Sequence, residues 1–286
     1  MSGSAGGSWR DRDDRPVEVP PLPGPADPAF YRSIGDFQGA DYRRNAFAAG
    51  TAEELTTLRQ LVAAARGRPI GQADAVLDVG CGDGRHLRAL ATAVPGVRAV
   101  GVDVSPGLVD AGRSAAVDEG VEVTLTVGDA RELTAVAGDA GPFEVVWSLC
   151  QGAVGTSPVT DPQVVAQMAA VARPGGVVIV TLFHALFAAR HLAPGDAFDP
   201  VQLVHHQQAE VRGPEHARRR FDLWTASYTV RDAVRMLADA GLEVVDVRGC
   251  EPGTFGRRSA GEVALDDPEL LVVARRRQEL PEDLSG

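Results

Sequence analysis

From Ala75 onward the chain alternates short apolar runs with longer stretches whose apolar positions recur every three to four residues. The short runs predict strands at Ala75–Val79, Ala99–Asp103, Val121–Val127, Glu144–Ser148, Val177–Leu182, Leu242–Arg248 and Leu270–Ala274. The longer stretches predict helices over 84–93, 106–119, 161–172 and 230–240. Ser105 followed by Pro106 suits a helix start, and Thr229 and Gly241 bracket the last helix. Such alternation implies a parallel sheet with helices on both faces. Residues 248–270 have no helical period, so the last strand is expected to pair antiparallel. The predicted fold class is therefore α/β: a Rossmann-like, doubly wound, mostly parallel seven-stranded sheet with an antiparallel last strand.

Other segments break this rhythm. Residues 1–28 are rich in Gly, Ser and Pro and predict a disordered tail. Residues 29–74 predict a helical lid or cap. Within it Thr51 and Glu54 have capping-box spacing, and Leu55, Leu58, Leu61 and Val62 share one helical face. The remaining domain, 75–280, contains an insertion at 183–228 that is too long for a simple connection and is expected to form a substrate-side lid or wall.

Composition narrows the function. The net charge of −11 gives no broad basic field for nucleic acid. All 28 basic residues are Arg. Without Lys there is neither a Schiff base for pyridoxal phosphate nor a P-loop lysine. Cys81, Cys150 and Cys250 are odd in number and far apart, which suits neither a disulfide framework nor a CxxC metal pair. No apolar run has membrane-spanning length, and the first residues lack a signal-peptide core. The expected setting is cytoplasmic, without membrane or nucleic-acid partners. No metal is expected, and the oligomeric state is not assigned.

The chemistry concentrates in "VLDVGCGDGRHL", Val76 to Leu87, where the first strand turns through three glycines into a helix. Cofactors bind beyond the carboxyl ends of such strands. A dinucleotide turn reads G-x-G-x-x-G/A, but Arg85 stands at its last position. Asp78, just before the turn, would repel a pyrophosphate and attract a cation.

Together with "VGVDVS" and "VGDA", this stretch resembles the class I S-adenosylmethionine-dependent methyltransferase family, over roughly Val76 to Gly176. The resemblance implies S-adenosylmethionine as cofactor and S-adenosylhomocysteine as product. It implies that Asp78, Gly80, Cys81, Gly82 and Gly84 surround the methionine end, with Asp78 on the ammonium. Asp103, with Val104, would hold the ribose hydroxyls. Gly128, Asp129 and Ala130 would hold the adenine, and Ser148 at the fourth strand's end would face the methyl group. "ARPGGVVIV" matches the turn before the fifth strand.

The acceptor side carries fewer signals. "SLCQ" lacks the motifs of nucleic-acid amino, catechol-type and protein-arginine enzymes, so a small-molecule acceptor is expected, methylated on O or N. Candidate acceptor-binding residues are Tyr31, Tyr42, Gln151, His184 and Trp224, and His184 is the candidate base. Two other readings stay open: an NAD(P)-dependent oxidoreductase, and a non-catalytic S-adenosylmethionine-binding module.

Overall fold

The computed structural model describes residues 28–278 apart from Asn45. The predicted 1–28 tail falls outside the described residues except for Pro28, which opens α1 (Pro28–Gln38). Helix α2 (Thr51–Arg66) then leads into β1 (Ala75–Val79), whose five residues are all buried. β1 pairs in parallel with β2 (Arg98–Asp103) on one side and β4 (Phe143–Ser148) on the other. β3 (Thr124–Val127) extends the sheet beyond β2, and β5 (Ala172–His184) extends it beyond β4. β10 (Glu269–Arg276) runs antiparallel between β5 and β9 (Leu242–Cys250). These seven strands are the predicted sheet with its reversed strand.

Strand alternation sends side chains to two cores. Val76, Trp147, Ile179 and Leu271 face α2 and α3 (Arg85–Ala93), meeting Leu58, Leu61, Leu87 and Leu90. Leu77, Val146 and Val180 face the short α5 (Leu133–Val136), α6 (Asp161–Val171) and α8 (Val230–Asp239), meeting Leu133, Met168 and Leu237. Burying each such side chain stabilises by about 1.5–3 kcal/mol, which fixes the strand ends that build the site.

Helix ends follow the sequence signals. Ser105 Oγ accepts from Leu108 N–H and starts α4 (Pro106–Glu119), and Thr229 caps α8 in the same way. Gly120 ends α4 left-handed, with Val121 N–H bonded back to Ala116. That bond takes Val121 into the helix cap, so β3 begins at Thr124 rather than at residue 121.

Three further expectations change. Thr51 and Glu54 form no capping box: Gly50 stands at the cap, Thr51 Oγ1 donates to Ala48 O, and Glu54 turns fully inward. β5 is longer than predicted, running through the Pro-Gly-Gly turn and on to His184. The sheet has ten strands rather than seven. After α7 (Ala185–Arg190), the 183–228 insertion folds as an antiparallel ribbon of β6 (Ala197–Asp199), β7 (Val204–Arg212) and β8 (Arg218–Tyr228). β8 joins β5 in parallel at Phe183 and His184, where β5 has outrun β4. Among the described residues no helix is long and apolar enough to cross a membrane.

Candidate cofactor site

The glycine turn is held from below by β2. The N–H groups of Gly80 and Cys81 both donate to Val102 O, at 2.8 and 3.1 Å. Gly80 has φ +73°, and a Cβ there would stand 2.1 Å from the Gly152 carbonyl carbon. The loop after β4 thus lies backbone to backbone on the loop after β1, and only glycine fits.

Asp103, ending β2, ties the turn to the next helix. Its Oδ2 accepts from Gly82 N–H at 2.7 Å and its Oδ1 from Ser105 N–H at 2.9 Å. Each oxygen keeps a lone pair for a ligand. Burial raises the carboxyl's pKa, against the pull of those two donors.

Asp78 lies beneath the turn, 2% exposed, with the Trp147 indole beside its carboxyl. Burial pushes its carboxyl up to about 7, even though the Trp147 indole and Arg85 pull it down. Such a carboxylate is energetically expensive until a cation meets it.

A cleft opens beside Asp103 and the glycine turn. The predicted Gly80, Asp103, Val104, Gly128, Asp129, Ala130 and Tyr31 all line it. Asp129 bonds Arg131 through both oxygens, and those bonds lower its pKa. The N–H of Ala130, first in a 3₁₀ turn, has no acceptor within that turn. Asp78, Cys81, Gly82, Gly84 and Ser148 lie behind the lining. Burial raises the Cys81 thiol well above its ordinary range, so it is inert. Ser148 Oγ is occupied by the Val154 N–H.

The acceptor-side candidates spread further. Tyr42 lies over the turn: a Cβ at Gly82 would stand 3.3 Å from its ring. Tyr31 Oη donates to Trp224 O at 2.5 Å, linking α1 to β8 beside the cleft. The Trp224 ring itself tilts against His206, with centroids 4.9 Å apart. Gln151 points to Glu269, Nε2 to Oε1 2.9 Å. His184 is 2% exposed, bonds Asp267 O through Nδ1 at 3.0 Å and does not line the cleft. Among the described residues no group of three or more His, Cys, Asp or Glu could hold a metal ion.

Sequence reasoning missed Arg131, Gly152, Ala153, Thr156, Thr160 and Val164, all of which line the cleft. The signal for Gly152 was its place in a glycine-rich loop after a strand. The others belong to no motif and reach the cleft only through tertiary folding.

Reasoning also missed what Arg85 does. Its Nη1 meets Glu54 Oε2 at 2.5 Å and Thr51 Oγ1 at 2.8 Å, and its Nη2 meets Cys150 Sγ at 3.4 Å. Glu54 also meets His86 Nε2 and accepts from Gly253 N–H, both at 2.8 Å. Burial pushes the Glu54 carboxyl up, but the bonds from His86 and Arg85 outweigh it and hold it at about 2. One buried carboxylate thus locks α2 to α3, to the turn after β4 and to the loop before β10. Glu54→Ala leaves Arg85 and His86 facing a void, and the expected loss is about 3–5 kcal/mol by denaturant titration. A loss under about 1 kcal/mol contradicts the locking role.

Residues 76–176 match the family model described as a methyltransferase domain. Over this stretch the chain is similar to that methyltransferase domain. The fold is similar to those of solved structures as well. CcbJ methyltransferase from Streptomyces caelestis aligns at TM-score 0.66 and 20% identity, over 85% of this chain and 98% of its own. The amino pentose methyltransferase CalS10 from Micromonospora echinaspora, solved with S-adenosylmethionine bound, aligns at TM-score 0.53 and 23% identity, over 79% and 91%. The PH0226 protein from Pyrococcus horikoshii OT3 aligns at TM-score 0.56 and 19% identity, over 87% and 99%. At these identities the likeness speaks for the fold. No curated protein sequence matches the chain.

Proposed function

We propose that the protein transfers the methyl group of S-adenosylmethionine to a small-molecule acceptor, on nitrogen or oxygen. The observation that carries this is the buried carboxylate of Asp78 beneath a glycine turn whose neighbour, Asp103, spends only one hydrogen bond on each oxygen. These groups fit the cofactor. Asp78 supplies the charge that an ammonium needs, Asp103 two acceptors for adjacent hydroxyls, and the Ala130 N–H a donor for a heteroaromatic ring. No comparable fit exists for a pyrophosphate, which Asp78 would repel.

The bound cofactor supplies a methyl on a positively charged sulfur, which keeps the bonding pair as the acceptor's lone pair takes the carbon. The protein's part is alignment and exclusion of water, which can supply about 7–11 kcal/mol of the barrier. The Gly80–Gly152 contact and the Arg85–Cys150 bond hold the turn after β4 against the glycine turn. Cys150 and Gln151 there have φ of 52° and 55°, strain of the kind stored at functional sites. Residues 29–74 act as the cap over the cofactor, 75–280 as the methyltransferase domain, and the β6–β8 ribbon as the acceptor-side wall. Support for the wall is the Tyr31–Trp224 bond, which brings the ribbon to the cleft. A small acceptor rather than nucleic acid accords with the net charge of −11. CalS10 is described as acting on an amino pentose and MtfA as a glycopeptide N-methyltransferase, which favours nitrogen.

Titrating S-adenosylhomocysteine by calorimetry tests the reading, with saturable one-site binding expected. Heat from a nicotinamide dinucleotide and none from S-adenosylhomocysteine would overturn it. Turnover of methyl-labelled cofactor across a panel of amines and alcohols separates an enzyme from a binding module.

A further inference from the structure

We infer that the edge of the sheet opposite the cofactor cleft carries a second binding site, for a small ligand bearing a chain of phosphates. A groove of about 580 Å³ opens there. Six arginines from separate segments line it: Arg66 at the end of α2, Arg68, Arg173 in the turn opening β5, and Arg275, Arg276 and Arg277 at the end of β10. This concentration stands on a chain whose net charge is −11.

The local acids engage some of these arginines but leave donors over. Asp74 takes both Arg66, at 2.6 Å, and Arg68, at 2.7 Å. Glu144 lies 3.5 Å from Arg173, and Glu243 lies 3.1 Å from Arg275. Arg66 is nine-tenths buried, at 5% side-chain exposure, and its Nη1 has no hydrogen-bond partner. The Nε atoms of Arg173 and Arg275 are likewise buried without partners. The heads of Arg68, Arg173 and Arg275 remain 41–48% exposed and able to turn toward a ligand.

Arginine forks match phosphate oxygens two at a time. A single phosphate can engage one or two forks, whereas the three part-exposed forks of Arg68, Arg173 and Arg275 around one groove favour several phosphates in a row. An acidic protein segment would meet an exposed ridge more readily than a concave groove, so the small ligand is preferred.

The sequence after Gln278 adds the acids Glu279, Glu282 and Asp283. The test therefore uses the full chain and an E279Q/E282Q/D283N variant of it. Inorganic tripolyphosphate is titrated into each at low salt. Saturable binding is expected, weakening with salt, and at least about tenfold weaker in R173Q/R275Q at unchanged S-adenosylhomocysteine affinity. A nucleoside triphosphate that binds more tightly than tripolyphosphate identifies a nucleotide site. Equal affinity identifies the phosphate chain alone as the ligand. The inference falls if neither the full chain nor the acid-to-amide variant binds tripolyphosphate. It falls equally if R173Q/R275Q binds as well as the parent, or if polyglutamate binds where tripolyphosphate does not.

Discussion

Asp103→Ala is expected to weaken S-adenosylhomocysteine binding by about 10²–10⁴-fold. Two hydrogen bonds to a charged group, at about 1.5–3 kcal/mol each, give that range. The same carboxylate also holds Gly82 and Ser105 N–H groups, so some loss of stability accompanies the change. The ligand role and the scaffold role separate in Asp103→Asn. Its remaining carbonyl can still accept one N–H, so the melting temperature recovers most of its value, while the site has lost its charge and one acceptor. Calorimetry on both variants, beside thermal melts, reads the difference. Wild-type affinity in folded Asp103→Ala would remove Asp103 from the ribose site and undermine the proposed cofactor.

The second large effect is a pH dependence centred on Asp78. Its folded-state carboxyl sits at about 7, against 3.8 for the free group, because burial disfavours the charge. A cationic ligand prefers the ionised form, so binding must expel a proton below that value. Affinity for S-adenosylhomocysteine is thus expected to rise with pH by roughly tenfold between pH 6 and 8, then level off. Asp78→Asn should bind weakly at every pH and lose the slope. A flat profile in the parent protein contradicts an ammonium partner for Asp78.

The stability of the ligand-free protein should move the other way. Its folded state holds this proton over a range where the unfolded chain has released it, so stability falls as pH rises from about 4 to 7. Asp161, at about 6, and Glu269, at about 7, are raised by burial too and add to the same slope. Glu54 acts oppositely: its contribution is present above about pH 4.5 and is lost as pH falls toward 2.

The central strands were legible in the sequence because β1, β2, β4 and β10 are buried along nearly their whole length and read as apolar runs. The glycine turn and the acids after it were legible because a backbone close approach and a lone buried carboxylate each demand one residue type. The ribbon at 183–228 was not legible as strands. β7 and β8 present mixed polar and charged residues on both faces, so neither shows clean period-two patterning. Glu54 was misleading for a physical reason. A capping glutamate and a core glutamate have the same spacing from the helix start, and only the arrival of Arg85 and His86 from α3 decides which way it turns. His184 was placed by its position at a strand end, but β5 carries it into contact with the Asp267 carbonyl.

The ribbon that widens the sheet has a consequence for how this protein can change. β8 is hydrogen-bonded to β5 only at its last two residues, while most of the ribbon lies beyond the strands that carry Asp78 and Asp103. Replacements along β7 and the first part of β8 are therefore expected to leave the glycine turn, Asp78 and Asp103 undisturbed. Under the proposed function, the methyl-donor site and the acceptor wall are separate parcels of one sheet, so new acceptors can be tried on the outer strands while the methyl source stays fixed.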